Sequence, residues 1–558
     1  MTRIIRAGLT VYAVWVSLAS SGAVRASGDP PLPKTRAELT DYGETSSFQD
    51  VVDFIRTLQQ ASPHLRVETL LRTLEGREVP LVVAGDPLPS SPVEALRDGR
   101  PVLYLQANIH AGEVEGKEAL QVFLRELVAG RHRDWLRRGI FLVVPIFNAD
   151  GNEPVSPANR NYMPNPAKGV GQRATIANLD INRDYVKTET REVRAVLEKV
   201  LLRWDPLVYL DIHTTDGSYH RETVTYTSPM GPNWDPALSR FLWDRLYPAV
   251  DRALRAQGIA SLPYGDFKDD LKPESGWVSF PSSPRVGVDY VALRNRFASL
   301  LEMYAYIPFS TRVTHCTAFV DTWIGFVLDH APEMSVIARD ADQRAAAVAS
   351  LPAAERPKLS LKVDTQSLDK PLTVETYEVE PFTSPLGYPR FKPVLDKPKT
   401  VSVPHFRRFV SLHDTTLPAA YALAPGCVPA VRQLLRHGIA VSRVVRKSRV
   451  EAEHFEPSSI ALDTWLSEGH VRVSLSGLWT PAAVDLEPGW FVVRTAQPLS
   501  MLATLLLEPE HPDSLVSWNF FDSHLTQQWT RKLRPLPYVR INELGPLVTQ
   551  TITSADLD

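Results

Sequence analysis

Between residues 102 and 212, apolar runs of strand length alternate with segments of helical period, and this alternation constrains the fold more than any other feature. Residues 102–109, 141–147 and 207–212 read as buried strands. Residues 113–128 place Ala119, Leu120, Phe123, Leu124 and Leu127 on one helical face, and residues 190–204 read as a second helix. Strands and helices that alternate in this way build a sheet covered on both faces. The expected class is α/β, with a mixed, mostly parallel sheet flanked by helices. Upstream, Ser46-Ser47 offers an N-cap to a helix carrying Phe48, Val51, Val52, Ile55 and Leu58. Glu75-Gly76-Arg77 sits between two apolar runs and reads as a hairpin turn.

After about residue 340 the texture changes. Residues 341–357 are Ala-rich, end in Pro352 and Pro357, and read as a linker. Short alternating runs follow at 359–363, 372–379, 401–403, 471–475 and 490–493, interrupted by one helix at 428–437. They predict a smaller β-rich C-terminal domain over 358–558. At the other end, Arg3 and Arg6 precede an apolar run over 9–19, and Val24-Arg25-Ala26 offers small residues for cleavage. That is the pattern of a signal peptide over 1–26. It predicts an exported chain, periplasmic or extracellular, that starts near Ser27 with an arm over 27–45. The run is shorter than the roughly 20 residues of a membrane span, so no stable span is expected; the alternative is an uncleaved N-terminal anchor.

Composition excludes some classes. Among 558 residues, 61 Lys and Arg face 64 Asp and Glu, and the net charge of −3 argues against a nucleic-acid partner. Two cysteines, Cys316 and Cys427, exclude a disulfide scaffold and a four-cysteine zinc site.

The chemistry concentrates at strand ends, where ligands collect in parallel sheets. Asn108-Ile-His110-Ala-Gly-Glu113 follows one strand and precedes a helix, so one turn can aim His110 and Glu113 at a single point. Asp211-Ile-His213 ends another strand. Two histidines and a carboxylate suit Zn²⁺ and leave a coordination position open for water. Asn182-Arg183 combines an amide with a guanidinium fork that matches a carboxylate. Glu302 follows a mostly apolar stretch, where an acid is costly to bury unless it is paired or functional.

Taken together and in order, His110-Ala-Gly-Glu113, Asn148-Ala-Asp-Gly151, Asn182-Arg183, Asp211-Ile-His213 and Glu302 resemble the zinc carboxypeptidases, the metallocarboxypeptidase A/B type of peptidase family M14. The resemblance covers about residues 45–330 and makes 46–340 the expected catalytic domain; residues 425–525 are similar to the C-terminal region of large bacterial secreted members. It implies hydrolysis of the C-terminal peptide bond through Glu-assisted attack of zinc-bound water, with one Zn²⁺ per chain held by His110, Glu113 and His213. It further implies that Asp180 orients His110, that Asn182 and Arg183 hold the substrate's free carboxylate, and that Glu302 is the proton carrier. An arginine that polarises the carbonyl falls between Asn148 and Asn182, where Arg160 fits better by distance and Arg173 is the other candidate. For the family's substrate-capping tyrosine, Tyr290 is the nearest candidate and Tyr264 lies further back. Arg294 and Arg296 either bring positive charge to the pocket, favouring an acidic substrate, or pair with local acids.

Two other readings compete. One is an N-acyl amino-acid deacylase of the aspartoacylase or succinylglutamate desuccinylase type, whose substrates also carry a carboxylate. The other is a catalytically inactive, peptidase-like binding protein.

Overall fold

The computed structural model describes residues 32–383 and 389–557, so the leader pattern over 1–26 lies outside the described residues. The strands of the N-terminal half are β1 (Leu65–Arg72), β2 (Glu78–Ala84), β3 (Val102–Ala107), β4 (Ile140–Val144), β5 (Val208–Thr215), β6 (Val224–Thr227), β7 (Ser261–Pro263), β8 (Asp266–Phe267), β9 (Trp277–Val278) and β10 (Phe297–Tyr304). Eight of them form one twisted sheet in the order β1-β2-β4-β3-β5-β10-β6-β7. The central neighbours β4, β3, β5 and β10 run parallel, while β1-β2, β2-β4 and β10-β6 are antiparallel. The sheet is therefore mixed with a parallel centre, as the strand–helix alternation predicts.

Every residue of β3, β4, β5 and β10 is buried, which explains why these strands read as continuous rather than alternating apolar runs. The helix Glu115–Ala129 lies directly against the sheet. Its Gly116 makes that approach possible, because a Cβ there would stand 2.6 Å from Ile212 Cγ2 and 3.0 Å from the Ala107 Cβ. The chain leaves β3 for β4 on one side, while β5 flanks β3 on the other. The carboxyl ends of β3 and β5 thus flank a topological switch point, the place where open α/β sheets bind ligands.

The expected linker is shorter than the sequence suggests. One helix runs from Phe309 to Ala347, through Pro332, and takes up the first part of 341–357. The Ala-rich texture read as a connection is strong helix-forming sequence.

The C-terminal half contains β11 (Lys358–Ser367), β12 (Leu372–Thr383), β13 (Pro389–Val403), β14 (His405–Thr416), β15 (Ala420–Leu423), β16 (Val441–Val444), β17 (Ser448–Leu462), β18 (Val473–Leu486), β19 (Phe491–Arg494), β20 (Tyr538–Ile541) and β21 (Thr549–Ile552). Seven form an antiparallel sheet, β18-β17-β20-β15-β19-β16-β21. The expected helix is present at Val428–Arg436. The halves are knitted together: β14 pairs with β9 across the expected boundary, and one apolar core runs from Val51 through Leu210 to Leu506. Cys316 and Cys427 are both buried and unbonded. Among the described residues no helix is long and apolar enough to cross a membrane.

Candidate active site

Asn108 creates the turn that carries the first two ligands. It ends β3 in the left-handed region at φ 65°, which asparagine tolerates better than most residues. Its side-chain amide donates to the carbonyls of Ala111 and Glu113, both at 3.1 Å, and fixes the loop between them. Asn148 braces the same turn, donating to Ile109 O at 3.3 Å and Ala174 O at 3.2 Å. Two residues on, Asp150 accepts from Thr73 Oγ1 and Arg77 Nη1, both at 2.7 Å. The Asn148-Ala-Asp-Gly151 motif is thus a brace that ties the ligand turn to the first hairpin.

His110, Glu113 and His213 are buried and meet at one point, with ligand atoms all within 4.8 Å of one another. The Nδ1 atoms of His110 and His213 stand 3.2 Å apart, and each lies 3.0 Å from a different oxygen of Glu113. The far nitrogens meet aspartates: His110 Nε2 lies 3.0 Å from Asp180 Oδ1, and His213 Nε2 lies 3.2 Å from Asp211 Oδ2. A carboxylate only accepts, so the hydrogen bond to Asp180 places the His110 ring proton on Nε2 and leaves a lone pair on Nδ1, whereas Asp211 meets His213 Nε2 as a charge at ion-pair distance. Two imidazole nitrogens and a carboxylate thus converge on one point, a donor set that a cation satisfies. Tetrahedral zinc ligands at about 2.0–2.1 Å from the metal stand about 3.3 Å from each other, close to the separations found. The donor set fits zinc.

Electrostatics support the cluster. Burial works against the charge on Glu113, yet His110, Arg160 and His213 together hold its carboxyl well below the usual range. Burial likewise opposes a charge on His213, but Asp211 and Glu113 override it and raise the basicity of the ring. Tyr209 donates to Asp211 Oδ2 at 2.8 Å and anchors that acid.

Glu302 stands beside His213 in the parallel β5–β10 register, so both side chains leave the same face of the sheet. Burial, reinforced by the charge of Glu113, raises its carboxyl above the ordinary value. The cluster opens into a cavity of about 400 Å³ that also takes in Arg160, Arg173, Asn182, Arg183 and Tyr264. Arg160 Nη2 contacts Glu113 Oε1 at 2.6 Å, and its buried Nε has no acceptor among the described residues. Arg173 Nη2 donates to Asp180 Oδ2 at 2.8 Å, and Nη1 stays 4.0 Å from Glu113. Asn182 lines the cavity, and its Oδ1 accepts from Gly287 N at 2.9 Å.

Two expected residues lie elsewhere. Tyr290 is fully buried, with its hydroxyl 2.8 Å from His437 Nδ1, and does not line the cavity. The helix Gly287–Ala292 turns that side chain toward the C-terminal half, and distance along the chain from Glu302 does not reveal this. Arg294 donates to His437 O at 2.8 Å and also stays outside the cavity, so it brings no charge to the pocket. Arg296 pairs with Asp205 and Asp342, which are local acids of the kind the alternative requires. The tyrosine that does line the cavity is Tyr264, which packs its ring on Phe280 at 5.2 Å. Sequence reasoning also missed Asp211 as the partner of His213, although the Asp-Ile-His motif carries it.

The parallel-centred sheet carries at its switch point a His–Glu–His triad of the kind that holds catalytic zinc in metallocarboxypeptidases. Residues 51–220 match the model of the zinc carboxypeptidase family, peptidase M14. Carboxypeptidase 2 of Trichophyton rubrum is 22% identical over 504 residues, spanning 85% of this chain and 84% of the relative. Carboxypeptidase 2 of Trichophyton tonsurans is 20% identical over 468 residues, spanning 80% of this chain and 78% of the relative. Among solved structures, carboxypeptidase A from Helicoverpa armigera is 15% identical, with a TM-score of 0.39 over 54% of this chain and 75% of that chain.

Proposed function

We propose that this metallocarboxypeptidase releases the C-terminal residue of peptides, with Glu302 as proton carrier and Asn182 and Arg183 as the grip on the terminal carboxylate. The observation that carries the reading is the convergence of His110 Nδ1, His213 Nδ1 and the Glu113 carboxylate, with Glu302 beside them. Zinc held by these three supplies Lewis-acid polarisation of a carbonyl and acidifies water. Glu302 accepts a proton from the attacking water and delivers it to the leaving nitrogen; the water oxygen joins the carbonyl carbon as the C–N bond breaks. The raised affinity of Glu302 for a proton suits both halves of that transfer. Arg160, buried and with an open Nε–H, offers charge to the developing oxyanion. Arg183 uses one nitrogen on Asn182 O at 2.8 Å and keeps the rest of its fork for a carboxylate.

The reading includes export of the chain, supported by the basic and apolar leader pattern and by Val24-Arg25-Ala26. Amino-acid release from matched peptides with free and amidated C-termini tests the activity. Release from free termini alone supports the assignment; release only from N-acyl amino acids overturns it in favour of a deacylase. Sequencing the N-terminus of secreted protein tests export, and an intact leader in the cytosolic fraction counts against it.

A further inference from the structure

A second guanidinium faces the same cavity as Arg183. Arg285 lies on the cavity wall; its Nε donates to Ser283 Oγ at 3.0 Å and stands 2.8 Å from Asp513 Oδ1 as an ion pair. Its two terminal nitrogens have no acceptor among the described residues. Asp513 comes from the C-terminal half and is 1% exposed. It accepts from Ser283 Oγ at 2.7 Å and from Trp518 Nε1 at 3.3 Å, so its position is set from both halves of the molecule. The loop that carries Arg285 is tied to the loop that carries Arg183: Gly287 N donates to Asn182 Oδ1 at 2.9 Å, and Tyr185 N donates to Arg285 O at 3.2 Å. Burial and the neighbouring Arg472 and Arg183 charges all work against the positive charge on Arg285, and Asp513 offsets them only in part. An acid on the same wall, Asp289, is pushed up to about 7 by burial and accepts from Ser283 N at 2.8 Å, so at neutral pH it opposes the two arginines with only part of a charge.

We propose that Arg285 binds a second acidic group of the substrate, so that the enzyme favours peptides ending in Glu or Asp, with Asp513 as the positioning residue that aims the guanidinium. This rests on the grip of Arg183 on the terminal carboxylate. It also moves to Arg285 the positive pocket charge that the sequence suggested for Arg294. Guanidinium–carboxylate pairs are strong when both nitrogens of the fork engage, and a site built for an acid penalises the neutral isostere.

Two otherwise identical peptides, one ending in Glu and one in Gln, provide the test with the zinc-loaded full chain. Arg285→Gln is expected to raise KM for the Glu peptide about tenfold or more, to change KM for the Gln peptide less than about twofold, and to leave kcat nearly unchanged. Asp513→Asn is expected to move KM for the Glu peptide in the same direction by less, which a merely structural loss, acting on both peptides alike, does not do. Arg285→Lys keeps the charge without the fork and serves if the Gln variant fails to fold. An equal effect on both peptides, or none, overturns the proposal. Calorimetric titration of zinc-loaded Glu302→Gln protein with the same peptides reads the preference without turnover, so failure of this inference is distinguished from failure of the hydrolytic reading.

Discussion

His110 and His213 turn their Nδ1 atoms toward one another at 3.2 Å; Asp180 hydrogen-bonds the far nitrogen of His110, and Asp211 stands as a charge 3.2 Å behind that of His213. With the Glu113 carboxylate beside them, the two ring nitrogens form a donor set that a zinc ion fits. The arrangement assigns different work to acids that lie close together: Glu113 ligates, Asp180 and Asp211 orient, and Glu302 moves protons.

Glu302→Gln separates the last role from the others. The amide keeps the shape but cannot take a proton. The variant is expected to bind zinc like the wild type and to lose about 10²–10⁴-fold in kcat. Metal analysis beside steady-state kinetics checks this; activity within tenfold of wild type removes Glu302 from the mechanism.

Asp211→Asn tests the support behind His213. An amide in place of the acid removes the negative charge beside Nε2 that raises the basicity of the ring. Zinc affinity, measured by competition with a chromogenic chelator, is expected to weaken about 10–100-fold. An unchanged dissociation constant contradicts the assignment.

The two arginines of the cavity separate kinetically. Arg160 carries a buried, open Nε–H beside Glu113, whereas Arg173 is engaged by Asp180. Arg160→Ala is expected to lower kcat about 10²–10³-fold, the usual loss when an oxyanion donor is removed. Arg173→Ala is expected to cost less in kcat. The reverse ranking would move the oxyanion role to Arg173.

Away from the site, Glu222 gives a pH prediction. Burial pushes its carboxyl from 4.5 up to about 7, with Glu375 N donating to one oxygen at 2.9 Å and His220 Nδ1 at 3.7 Å from the other. The folded-state value lies above the unfolded one, so this group's contribution is full below pH 4.5 and is lost as pH rises toward about 7. Glu222→Gln keeps the acceptor and removes the charge. It is expected to stabilise the protein at pH 8 by on the order of 3 kcal/mol, because each tenfold difference in proton affinity between folded and unfolded chain is worth about 1.4 kcal/mol. At pH 4.5 the same substitution is expected to be near neutral. Urea midpoints at the two pH values check this, and equal midpoint changes contradict it.

The metal site was legible because its chemistry is local. His110 and Glu113 share one turn, and His213 ends a strand whose apolar run announces itself. Asp180 followed from the family resemblance. Tyr290 and Arg294 were misplaced because distance from Glu302 along the chain does not say which face of the helix Gly287–Ala292 meets the cavity. Arg285 escaped notice because its partner, Asp513, is far away in sequence and meets it only when the two halves pack. The boundary near residue 340 was blurred for a related reason: β9 and β14 pair across it, and strand pairing between distant segments leaves no periodic trace in either one.

The most direct test of the central claim is zinc content measured together with release of the C-terminal residue, on the same preparation, before chelation, after chelation and after zinc is restored. The account predicts one zinc per chain, loss of release when the metal is removed, recovery when it returns, and neither zinc nor release in His213→Ala. Release that persists in the metal-free protein would contradict it.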